Sequence, residues 1–264
     1  MDPVAYIITS IAGATPWVVG QAFLAATIGF ALTVVGAFPA LLGLRAGDAV
    51  MAYGMGFAAG VMISASFTSL LIPAEEVGGV LPVIVGFVLG ALATHAMNEA
   101  LPHEHLMRGY EGPEKLRRRL RAAWLLAFAI IIHNIPEGAA VGAAVAESLR
   151  DGVILAIAIG IQNIPEGLAV ALPLITAGKR LRLAMGLAVL SGAVEPIAAA
   201  GAAAVVTLSR ALLPYMLSFA AGAMMYVVSH EIIPETHEGG REIRATAGLI
   251  IGLIAMFALD AYYG

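Results

Sequence analysis

Two nine-residue segments bring the same chemistry twice: "HNIPEGAAV" from His133 to Val141, and "QNIPEGLAV" from Gln162 to Val170, 29 residues later. Each puts an amide, a proline and a carboxylate into a stretch of nearly pure hydrocarbon. His133 and Glu137 are four residues apart and Asn134 and Glu137 three, so on a helix they share a face. Gln162, Asn163 and Glu166 repeat the geometry. Imidazole, carboxylate and amide oxygens together make a donor set for a hard-to-borderline divalent metal. Pro136 and Pro165 add to the reading. Neither donates a backbone hydrogen bond, so the carbonyls of Ile132 and Ile161 lose their helical partners. Two facing carboxylates in an apolar site cannot both stay ionised without a cation.

The elements that must position these residues are membrane helices. The 264 residues are 60% hydrophobic and 12% charged, with a mean hydropathy of +0.92. Soluble domains are nearer half apolar and a quarter charged. Eight apolar spans, each near the 20 residues a bilayer core requires, run over about 16–43, 49–73, 79–100, 122–148, 152–176, 183–208, 212–235 and 244–262. The expected fold is an all-α polytopic membrane protein, one transporter domain over 1–264, with a loop at about 102–121 between spans three and four. The absence of cysteine excludes disulfides and thiolate metal sites. The N-terminus, MDPVAYIITS, lacks the basic region of a signal peptide, so the first span is expected to be retained.

Basic residues set the orientation. Arg45, the 108–121 cluster, Lys179, Arg180, Arg182, Arg241 and Arg244 account for twelve of the fourteen, and all lie on the side of the 3–4 loop. Only Arg150 and Arg210 lie on the other side. The asymmetry places that loop in the cytoplasm and both termini outside. Spans 1–3 and 6–8 begin on opposite sides, which permits a 3+2+3 plan of inverted triplets, although the triplets show no strong sequence similarity. Small-residue pairs in "GFAAG", "GFVLG" and "GLIIG" fit close helix packing, and a homodimer is left open.

The two motifs sit mid-span on antiparallel neighbours and therefore meet at one depth. A carboxylate at the bilayer centre costs at least about 2.5 kcal/mol, so the repeated unit favours a site over structural hydrogen bonding. Glu195 in "SGAVEPIAA" joins them from the middle of span six. Met62, mid-span in span two, offers a thioether or simply packs, and its position favours packing. Toward the outer end lie Ser69, Glu76 and Asp260; caps at an interface are the competing reading for the two acids. Toward the cytoplasmic end lie His230 and Glu231 in "SHEIIPETHE", with Glu235 and His237 beyond. His103 and His105 fall in the loop. His95 and Glu99 read as a structural pair or cavity lining. The polar residues thus trace a route through a midplane site.

At these residues the sequence resembles the ZIP (Zrt/Irt-like protein) metal transporters. "HNIPEG" and "QNIPEG" are similar to the family's paired signature, the second in the form of the bacterial GufA-type subfamily, and "SGAVEP" and "SHEIIPE" match as well. The resemblance covers the whole chain. It implies a carrier of divalent transition metals, typically zinc, toward the cytoplasm through a centre between spans four and five. By motif, His133, Glu137, Gln162 and Glu166 form one site, with Met62 as an additional candidate ligand. Asn134, Glu137, Asn163, Glu166 and Glu195 form the adjacent one. His230 and Glu231 belong to an exit site with His103 and His105, and Ser69, Glu76 and Asp260 to the entrance. Many members carry His where this chain has Gln162, and some carry Asp at Asn163. Three carboxylates do not fully neutralise two divalent ions.

The function expected is transport of zinc or a related divalent ion (Fe(II), Mn, Cd or Co), with no prosthetic group and no enzymatic activity. The partners are the metal and the lipid bilayer, not nucleic acid, and the location is the inner membrane of a bacterium or archaeon. Two alternatives are an intramembrane metalloenzyme and a slow metal-selective channel. "HEIIPETH" departs from the zinc-protease pattern H-E-x-x-H, because Pro234 stands where the second histidine is required.

Overall fold

The computed structural model describes residues 3–42, 47–100, 131, 133–176, 181–237 and 239–263. Every regular element among them is helical: α1 (Pro3–Leu41), α2 (Asp48–Ala65), α3 (Ile72–Gly78), α4 (Val80–Ala100), α5 (133–147), α6 (Leu149–Thr176), α7 (Leu181–Leu208), α8 (Leu213–Val227), α9 (Ile233–Thr236) and α10 (Glu242–Tyr263). Among the described residues seven spans are long and apolar enough to cross a membrane. The fourth predicted span is described only at 131 and over 133–147. This is the expected all-α polytopic membrane fold. The 3–4 loop, with His103 and His105, lies outside the described residues.

Local chemistry explains the breaks. Gly79 ends α3 with φ +75°, a left-handed conformation that costs glycine little, and its N–H bonds the Glu75 carbonyl at 2.7 Å. The sequence boundary at residue 16 falls inside α1, which continues through Pro16. Likewise α5 and α6 stay helical through Pro136 and Pro165, since neighbouring helices in a membrane can re-satisfy freed backbone groups.

Spans two and seven are not simple helices. In each, a π-helical stretch (Ser66–Leu71 and Val228–Ile232) leads into a short helix that opens with Ile-Pro. The two constructions are related. "FAAGVM" (Phe57–Met62) recurs 162 residues later as "FAAGAM" (Phe219–Met224), and Gly86 and Gly90 recur at the same spacing as Gly248 and Gly252.

The packing follows this repeat. A Cβ on Gly248 or Gly252 of α10 would meet the carbonyls of Tyr53 or Phe57 of α2. A Cβ on Gly86 or Gly90 of α4 would meet those of Tyr215 or Phe219 of α8. Each residue of the second set stands 162 positions from its counterpart. The triplets are therefore inverted copies, and their sequence similarity is confined to the few positions, such as "FAAGVM" and "FAAGAM", at which these helices pack.

Two bundles result. In one, α1 packs on α6 through Gly36 and Gly167 and on α7 through Gly29 and Gly192, and α5 packs on α7 through Gly138 and Gly142. The other contains the pairs α2–α10 and α4–α8. Gly54 of α2 lies against Pro165 of α6, so the bundles touch at the second paired motif.

Candidate metal centre

The paired motifs do face one another. Asn134, Glu137, Gln162, Asn163, Glu166 and Glu195 are all buried, and they project from α5, α6 and α7. Gln162 Nε2 donates to Glu137 Oε1 at 2.5 Å, and Asn163 Nδ2 donates to Glu195 Oε1 at 2.7 Å. Asn134 Nδ2 donates to the Ser191 carbonyl at 2.8 Å, tying α5 to α7. Each amide thus spends its N–H on a fixed acceptor and leaves its oxygen for another purpose.

Those oxygens are the chemical core of the site. Asn134 Oδ1, Glu137 Oε2, Gln162 Oε1, Asn163 Oδ1 and Glu166 Oε2 are buried without a hydrogen-bond partner. Orphan acceptors in an apolar interior cost about 1–3 kcal/mol each. A group of them, all oxygens, is a set that a cation would satisfy. Oxygen ligands from carboxylates and amides suit a divalent ion. Among the described residues no three His, Asp or Glu side chains converge as a ready cage. Glu137, Glu195 and His133 are instead held by Gln162, Asn163 and Glu231, and a metal would have to compete with those bonds.

His133 shows this most clearly. Its Nε2 lies 2.6 Å from Glu231 Oε2, as donor to the carboxylate, and the two side chains are 13% and 4% exposed. Glu231 belongs to the π-helical turn of span seven and therefore reaches from the second bundle into the first. The structure joins a residue read as a midplane ligand to one read as part of the exit.

His230 takes the opposite course. It is exposed, with its ring 5.0 Å from that of Tyr226, whose hydroxyl shares a 2.9 Å hydrogen bond with His95 Nδ1. Adjacent residues of a helix cannot share a face, so His230 and Glu231 part. His237 bonds the Ile233 carbonyl and Thr246 Oγ1, at 2.9 and 3.1 Å. Met62 is buried in the apolar cluster that includes Val141 and Ile159, about one turn from Glu137 and Gln162.

The residues read as an entrance converge. Ser69 Oγ donates to Asp260 at 3.1 Å, and Thr68 Oγ1 donates to the same carboxylate. With Glu76 they line a cavity of ≈ 370 Å³ that also presents Arg150 and Asp151. The ends of α3, α5 and α10 and the start of α6 meet there.

Sequence reading counted Arg150 only as a loop charge and passed over Asp151. It also missed Ser191, one turn before Glu195, and Thr33 and Gly29 of α1. Thr33 Oγ1 stands 3.4 Å from Glu195 Oε1. The 162-residue repeat would have exposed it, because it pairs Thr33 with Glu195.

Comparison with known proteins identifies the family. The family profile described as ZIP Zinc transporter matches residues 89–260. Zinc transporter ZIPB of Bordetella bronchiseptica is 42% identical, covering 99% of this chain and 87% of its own. Zinc transporter GufA of Myxococcus xanthus is 38% identical over 93% of this chain and 100% of its own. Zinc transporter ZIP11 of Bos taurus is 34% identical over 93% and 98%. With a matched profile across most of the chain and relatives aligned nearly end to end, the protein belongs to the ZIP zinc transporter family.

Proposed function

We propose that this protein carries zinc, or a divalent transition metal of similar donor preference, across the cell membrane toward the cytoplasm. The observation that carries the reading is the set of buried oxygens without partners, on Asn134, Glu137, Gln162, Asn163 and Glu166. A cation is the ligand that satisfies acceptors only. The names of the relatives favour zinc among the candidates.

In this reading the ion enters the acidic cavity of Ser69, Glu76 and Asp260 and sheds water there. Glu137 and Glu166 then hold it with His133, Gln162 and the asparagine oxygens. Once a metal engages the His133 imidazole, Glu231 is released, and it is placed to receive the ion on the cytoplasmic side. The two bundles supply the moving parts, since the site lies in one and Glu231 in the other.

Zinc uptake into proteoliposomes tests this. Glu137→Ala and Glu166→Ala each abolish saturable uptake in protein that purifies as a folded species. Uptake at the parental rate by both variants would overturn the assignment. Saturable flux without single-channel currents is expected of a carrier rather than a pore.

A further inference from the structure

We propose that Thr33, on the first span, is a positioning residue for Glu195 and forms the fourth wall of the metal centre. This rests on the metal-site reading above and deepens it.

Three independent observations converge on Thr33. The first is direct. Its hydroxyl lies 3.4 Å from Glu195 Oε1, which also accepts from Asn163 Nδ2 at 2.7 Å. Both residues are buried, Thr33 at 0% and Glu195 at 1% exposure.

The second is clearance. Gly29, one turn before Thr33 on the same face of α1, faces Glu195 Oε2 so closely that a Cβ would collide with it. Gly29 and Thr33 together therefore bracket both oxygens of this carboxylate.

The third is symmetry. Thr33 and Glu195 are equivalent positions in the 162-residue inverted repeat. Gly138 of the first paired motif lies against the Glu195 carbonyl, and Gly167 of the second lies against the Thr33 carbonyl. Thr33 therefore stands to the second motif as Glu195 stands to the first. The centre has a near-twofold plan in which one of two equivalent positions carries a charge and the other a hydroxyl.

The hydroxyl has one proton and two acceptors, since the Gly29 carbonyl lies 3.0 Å away. It can turn to Glu195 or back to its own helix as the carboxylate takes up a metal or releases it. A valine of the same shape removes this choice without opening a cavity.

The test is a double-mutant cycle in proteoliposomes, reading zinc KM and Vmax for Thr33→Val, Thr33→Ser, Glu195→Gln and Thr33→Val/Glu195→Gln, with Glu137→Ala as control. Thr33→Val is expected to raise KM by about three- to tenfold, as loss of a hydrogen bond to a charged group should. Thr33→Ser keeps the parental KM, and Thr33→Val adds nothing once Glu195 is glutamine. Thr33→Ala supplies the same comparison if the valine variant does not fold. A Thr33→Val KM equal to the parent, with Glu137→Ala inactive, would overturn this inference alone. So would a Thr33→Val defect of undiminished size in the Glu195→Gln background, which marks a merely structural role. Parental uptake by Glu137→Ala would overturn the metal-site reading and this inference with it.

Discussion

His133 Nε2 lies 2.6 Å from Glu231 Oε2, and this contact crosses from one helix bundle to the other at the edge of the paired motifs. In the proposed metal site, an ion held by His133 would compete with Glu231 for that imidazole nitrogen. Removing the competitor favours the metal. Glu231→Ala is expected to tighten equilibrium zinc binding by about tenfold, within the worth of one charge-assisted hydrogen bond. Isothermal titration of the purified protein measures it, and unchanged or weaker binding contradicts the competition.

Gln162 is the point at which the two motifs differ. Its N–H holds Glu137 Oε1 at 2.5 Å while its own oxygen has no partner. Gln162→His replaces an amide oxygen with a nitrogen donor. Imidazole suits zinc better than manganese, which prefers oxygen, so the substitution is expected to raise zinc-over-manganese selectivity several-fold. Uptake of zinc in competition with manganese reads this directly.

The legible part of this site is the part within a single helix. Spacings of three and four put Asn134 with Glu137, and Asn163 with Glu166, on one helix face, and all four are buried, because helical geometry is fixed by the backbone. Ser69 and Asp260, 191 residues apart, were both polar residues predicted at the outer end, and the structure places them in contact. What the chain could not reveal depends on register between helices. The contact of His133 with Glu231 spans 98 residues. It also depends on a π-helical turn at Val228–Ile232, whose extra residue per turn shifts the face on which Glu231 lies. Thr33 escaped notice because a threonine in a membrane helix ordinarily bonds its own i−4 carbonyl, as it does here too.

The acidic cavity offers a prediction of two opposite signs. Asp260 and Glu76 attract a cation and Arg150 repels it, and all three line the same space. Asp260→Asn is expected to raise the zinc KM by about two- to fivefold at low salt, and Arg150→Ala to lower it by a similar factor. Both effects shrink at high ionic strength. Equal shifts in the same direction, or none with salt, would show that these residues act by packing.

The inverted packing predicts matched instability. A Cβ on Gly60 would strike the Leu249 carbonyl, and one on Gly222 the Phe87 carbonyl, while Gly201 has open space around it. Gly60→Ala and Gly222→Ala should each destabilise the fold by about 1–3 kcal/mol, the usual cost of overpacking. Gly201→Ala should be neutral or slightly stabilising. Unfolding in mixed micelles compares the three variants, and a Gly201 effect as large as the others contradicts the packing argument.

The central claim is that one divalent ion sits between the two repeated motifs. Crystals of the zinc-loaded protein, measured at the zinc absorption edge, test it most directly. The account predicts an anomalous peak roughly 2.0–2.2 Å from carboxylate oxygens of both Glu137 and Glu166, the ordinary zinc–oxygen distance. A peak remote from both carboxylates, in protein that still transports zinc, would contradict it.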